Sequence, residues 1–150
     1  MTTTNEKNNA FLIHLSAFSG YFIPLGSILI PLIVWNLKKD ESEFVNHHGK
    51  EAVNFNLSFL LYYTVLFISL FPLIFKTIFN WATHMERFEQ MEQMAQMNHL
   101  FSTGGWFSIF GIILLFGTMT IFKFIVIIMA SIKAQEGAMY KYPLRIRFIK

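Results

Sequence analysis

Residues 53–75 read VNFNLSFLLYYTVLFISLFPLIF, an uncharged run held between Glu51 and Lys76. As an α-helix rising about 1.5 Å per residue it reaches roughly 34 Å, enough for a bilayer hydrocarbon core of about 30 Å. Working outward, the stretch from Ala10 to Leu37 also lacks Asp, Glu, Lys and Arg. It would reach about 42 Å, sufficient to span with tilt. Toward the other end, residues 104–132 are interrupted once, at Lys123. These runs predict an all-α integral membrane protein with about three transmembrane helices, 10–37, 53–75 and 104–132. A polar N-terminal tail (1–9), a polar outer segment (77–102) and a basic cytoplasmic tail (133–150) complete a single membrane domain.

Composition agrees. Hydrophobic residues make up 54% of the 150 and charged residues 14%, with eighteen Phe against nine acidic side chains; mean hydropathy is +0.46. A soluble fold would carry more apolar surface than it could hide, whereas lipid accepts it. The polar start MTTTNEKNNA lacks the basic region, short apolar core and cleavage site of a signal peptide, so the first span is expected to stay. The absence of cysteine removes disulfides and thiolate chemistry. The segment HMERFEQMEQMAQMNHL (84–100) carries Glu86, Arg87, Glu89 and Glu92, each expensive in lipid. It is expected to be an extramembrane helix.

Three spans divide the basic residues unevenly. Lys38, Lys39, Lys50, Lys133, Lys141, Arg145, Arg147 and Lys150 fall on one side, and Lys7, Lys76 and Arg87 on the other. The positive-inside rule then puts the C-terminus in the cytoplasm and the N-terminus outside a cell inner membrane, with Trp35, Trp81 and Trp106 at the interfaces.

Ser16, Gly20, Pro24, Ser27 and Pro31 recur at helical spacing in the first span, as do Asn54, Ser58, Tyr62, Ser69 and Pro72 in the second and Gly104, Ser108, Gly111 and Thr118 in the third. Small and polar stripes let membrane helices approach closely. The alternative is that they line a polar path in a channel or transporter component, with freed proline carbonyls as ligands. Lys123 is the one basic residue inside a span; it snorkels toward the headgroups or pairs with Glu51 or Asn54.

Met91, Met94 and Met97, flanked by His84 and His99, offer thioether and imidazole ligands to a soft metal ion. A three-residue step drifts about 60° around a helix, so these Met spread over an arc, and the reading preferred is an adaptable apolar face. His47 and His48 are adjacent, point in different directions and are expected near lipid phosphates. In the tail YKYPLRIRFIK, apolar and basic residues alternate after Pro143, aiming Lys141, Arg145, Arg147 and Lys150 at anionic headgroups. No phosphate loop, paired carboxylates within a span, zinc helix or nucleophile elbow occurs, so neither catalysis nor a cofactor is expected.

Three blocks carry a resemblance: HLSAFSGYFIPLGSILIPLIVW (14–35), NHHGKEAVNFNLS (46–58) and IKAQEGAMYKYPLRIRFIK (132–150). Together they resemble a bacterial family of small multi-pass membrane proteins grouped with magnetosome proteins of the MamF/MmsF kind and, more remotely, the chloroplast inner-envelope translocon channel subunit. The first resemblance implies control of mineral growth at a membrane, the second a preprotein-conducting channel, and neither brings site residues. The function expected is non-enzymatic, exercised by helix packing and by contacts with the lipid bilayer, anionic headgroups, a second copy or another membrane protein. Nucleic acid is not an expected partner.

Overall fold

The computed structural model describes residues 2–85 and 103–150 and is helical throughout its regular structure. Helix α1 spans Thr4–Ser16, α2 Gly26–Lys38, α3 Glu43–Met85 and α4 Thr103–Glu136. Residues 4–9 of the expected N-terminal tail are thus the opening turns of α1. A capping box starts it: the Glu6 N–H donates to Thr3 Oγ1 at 3.3 Å and the Thr3 N–H to Glu6 Oε2 at 2.7 Å. Residues 77–85 of the expected outer segment likewise continue α3.

The first expected span is not one helix. After α1 the chain tightens into a 3-10 turn, Ala17–Tyr21, and Leu25 takes a left-handed φ of 59° before α2 begins. Hydropathy counts side chains and misses backbone breakers. Pro24 disfavours helical geometry at Ile23, and Gly20 lets the turn close on Ser27, whose Cβ would lie 2.6 Å from a Cβ at Gly20. The resulting helices of 13 residues each are about 20 Å long, short of a bilayer crossing.

Among the described residues two helical stretches, Glu43–Lys76 and Phe110–Glu136, are long and apolar enough to cross a membrane. Only 11% of the most apolar window of each is buried. A soluble protein's core helix would be covered, so these bare surfaces fit lipid.

The chain divides into two compact units. In the unit formed by residues 63–121, Tyr63 lies flat on Phe116 and its hydroxyl meets Thr120 Oγ1 at 3.2 Å. Phe67, Phe71, Phe75 and Phe79 step along α3 four residues apart with centroids about 6 Å from one another.

The other unit, residues 1–62 and 122–150, forms a head. Ala10, Ile13, His14 and Ala17 recur at helical spacing and are buried. Ala10 packs with Phe44 and Ala134, which joins α1, α3 and α4. Trp35 of α2 lies over Gly49, where an added Cβ would be 2.0 Å from the indole, and its Nε1 donates to Asn46 Oδ1 at 3.0 Å. Gly137 ends α4 with a left-handed φ of 82°, and the Gly137 and Ala138 N–H groups close onto Ala134 and Lys133 carbonyls. Gln135 bonds Asn8, and Lys7 lies beside Gly137. The start of α1 and the end of α4 are therefore neighbours.

Candidate functional site

The head is organised around a tail that has no secondary structure of its own. An extended segment leaves its backbone donors and acceptors open, and next to a bilayer they need protein partners. Successive turns of α3 supply them. Asn54 takes three: Nδ2 donates to the Ile149 carbonyl at 2.8 Å, while Oδ1 accepts from the N–H groups of Phe148 at 3.0 Å and Ile149 at 2.8 Å. Ser58 Oγ accepts from the Ile146 N–H at 2.7 Å, and the Tyr62 hydroxyl donates to the Leu144 carbonyl at 2.6 Å. Leu144 has a left-handed φ of 56°, and at that point the tail reverses along α3. Ser58 also donates to the Asn54 carbonyl, which fixes its rotamer.

Glu51, one turn earlier, holds the other limb. Its Oε2 accepts from Arg145 Nε at 2.7 Å and from the Tyr142 N–H at 3.1 Å. Both side chains are nearly closed to solvent, at 4% and 10% exposure. Removing either leaves an uncompensated buried charge.

A second buried chain crosses the head. Tyr142 Oη lies 2.9 Å from His14 Nδ1, and His14 Nε2 lies 2.7 Å from His48 Nδ1. Tyr142 stacks on Phe55 with centroids 4.1 Å apart. One imidazole must donate an N–H to the lone pair of the other, so the contact is lost once both rings carry a proton. Burial, helped by His48 and His47, keeps His14 well below the ordinary imidazole range. Burial also raises the Tyr142 hydroxyl well above its usual value, with Tyr140 and Glu51 adding to the effect. The phenol therefore keeps its proton at neutral pH.

Beside the clamp opens a cleft of about 540 Å³ lined by His47, Lys50, Glu51, Asn54, Lys141, Arg145, Arg147, Ile149 and Lys150. All four basic residues singled out in the tail thus reach one place. Lys50 and His47 join them from α3, one helical turn before Glu51 and Asn54, a convergence that sequence distance conceals.

Other expected residues fare differently. His48 is buried against His14 and does not reach the interface, while His47 Nε2 meets the Tyr140 carbonyl at 3.2 Å. Glu51 and Asn54, expected as partners of Lys123, are taken by the tail; the Lys123 ammonium lies 5.8 Å from the Phe59 ring centroid. Ser16, Gly20, Pro24, Ser27 and Pro31 do not share one helix face, because the chain breaks among them: Ser16 Oγ bonds its own helix at the Ile13 carbonyl, Gly20 and Pro24 lie before α2, and Pro31 is buried within α2. Met91, Met94, Met97 and His99 lie outside the described residues, and of the metal candidates only the backbone of His84, in α3, is described. Among the described residues no group of three or more His, Asp or Glu is arranged to hold a metal ion.

A family model described as the magnetosome magnetite crystal formation protein family, MamF/MmsF, matches residues 5–149. The chain belongs to that family. The MamF/MmsF match covers all three blocks that meet in the head, and with the bare apolar helices it makes this a membrane protein. No curated protein and no solved structure matches the chain. The remoter resemblance to the chloroplast translocon subunit has no counterpart in these matches.

Proposed function

We propose that the chain is a non-enzymatic membrane protein that crosses the bilayer twice, through α3 and α4, and presents its clamped head on the cytoplasmic side. The observation that carries this reading is the use made of the polar groups. Asn54, Ser58 and Glu51 are engaged by the tail, and the helices beyond them offer bare apolar faces to lipid or to neighbouring helices. With Lys7 beside Gly137, both chain ends lie on the head side. That side then carries nine Lys and Arg, from Lys7 to Lys150, against Lys76 and Arg87 on the other, a stronger bias than three spans give.

A head braced on both termini, in a chain that also carries bare apolar helices, suits a protein that organises a membrane surface or a partner in it. The family's description, magnetite crystal formation, is a process into which such a role would fit. The channel reading needs Asn54 and Ser58 open to a polar path, and their engagement by the tail weighs against it. Flux across proteoliposomes decides between the two. Vesicles containing the chain are expected to release small ions and uncharged solutes no faster than protein-free vesicles, whereas sustained release proportional to protein content would overturn the proposal.

A further inference from the structure

We infer that the cleft between the start of α3 and the returning tail binds a phosphate-bearing anion, with an anionic lipid headgroup as its source. The inference rests on the head facing a membrane surface, as proposed above.

The charge balance points there first. Lys50, Lys141, Arg145, Arg147 and Lys150 line the cleft with one side-chain carboxylate, Glu51, already taken by Arg145. Counting an α-carboxyl group on Lys150 still leaves an excess of three positive charges. Among the described residues, Lys50, Lys141, Arg147 and Lys150 enter no ion pair with an acidic side chain. Cations gathered without counter-charges repel one another, a cost that an anion between them relieves.

The second point is preorganisation. Arg147 and Lys150 would be free-swinging on a loose tail, but Asn54 fixes the backbone at Phe148 and Ile149, so the cations flank an anchored segment. Arginine in such a place offers paired N–H donors suited to phosphate oxygens, and the lysines add point charges.

The third is what surrounds the cleft. Leu144, Ile146 and Phe148 alternate with the arginines and are 66%, 39% and 49% exposed. Their apolar surface is fit to lie among acyl chains while Arg147 and the lysines hold a headgroup, a pairing that a free phosphate has no use for. The volume of about 540 Å³ also exceeds what a bare phosphate fills and suits a substituted one.

The test uses the full chain in nanodiscs of phosphatidylcholine, with or without a minor fraction of phosphatidylglycerol, and reads retained lipid by native mass spectrometry. Binding of a labelled phosphatidylglycerol supplies the affinity. The variant R147Q/K150Q removes two cations and leaves the Glu51–Arg145 pair and the Asn54 bonds in place; an unchanged thermal transition reports that it still folds. The wild type is expected to retain phosphatidylglycerol over phosphatidylcholine, and the variant to bind it roughly ten- to thirty-fold more weakly. In a second arm, displacement of the labelled lipid by millimolar inorganic phosphate supports the same phosphate site and identifies free phosphate as a competing source. Equal retention of the two lipids with no displacement by phosphate, or a variant that binds as well as wild type, overturns the inference. Neither result bears on flux, so failure of the cleft and failure of the non-conducting reading remain distinguishable.

Discussion

Residues 51–59 and 60–79 belong to one uninterrupted helix and both carry Phe at four-residue spacing, yet they are surrounded in opposite ways. Phe55 and Phe59 are 0% and 2% exposed, while Phe67, Phe71, Phe75 and Phe79 are 50–57% exposed. The wrapped stretch also holds Glu51, Asn54, Asn56 and Ser58, all buried. The first stretch is thus the more polar of the two in sequence. Protein covers the first on nearly every side, so polar side chains there have backbone and charged partners, whereas the second leaves its apolar faces bare, as a helix surrounded by hydrocarbon would.

If that contrast is sound, truncation should hurt unequally. The largest effects are expected for Glu51→Ala, which strands Arg145, and for Phe55→Ala, which opens a cavity under Tyr142; each should destabilise by about 3–5 kcal/mol in detergent unfolding. Asn54→Ala leaves three backbone groups of the tail without partners and should cost about 2–3 kcal/mol. Limited trypsinolysis checks it independently, since cleavage after Arg145 and Arg147 should become faster once the tail is released. Gly49→Ala drives a methyl group into Trp35 and is expected to cost about 1–3 kcal/mol.

Acid should sharpen the same contrast. Because burial holds the folded-state pKa of His14 below the ordinary value of 6.5, the unfolded chain takes up a proton that the head excludes. Stability is therefore present above pH 6.5 and falls as the pH is lowered beneath it, by up to about 1.4 kcal/mol per pH unit for that one group. His14→Gln, which can still bridge Tyr142 and His48, should flatten the profile in a pH series of thermal transitions. The smallest effect is expected in the bare stretch. Phe71→Ala, matched in chemistry to Phe55→Ala, should change stability by less than about 1 kcal/mol.

Much of this was legible in the residues. Length and hydropathy place the apolar runs 53–75 and 104–132, and the spacing of Asn54, Ser58 and Tyr62 marks a contact face on α3. Periodicity along one helix carries no information about what lies against it, so the partner, an extended tail some ninety positions away in sequence, stays hidden. Glu51 next to Asn54 was the available signal: an acid at the edge of a span, on the same face, asks for a cation. The break in the first apolar run was readable from Gly20, Pro24 and Gly26, which a hydropathy sum ignores. Nothing local announces the His14–His48 contact, because each residue alone looks like an ordinary interfacial histidine.

The central claim, that both ends of the chain build one head on one side of the membrane, is tested most directly by topology. The protein has no cysteine of its own, so single cysteines at Thr2, Gln93 and Lys150 can be probed with a membrane-impermeant maleimide in intact cells. The cysteine replacing Gln93 is expected to label at once, and those replacing Thr2 and Lys150 only after permeabilisation. Labelling of the Thr2 position in intact cells, with the Lys150 position protected, would put the chain ends on opposite sides and contradict the two-crossing head.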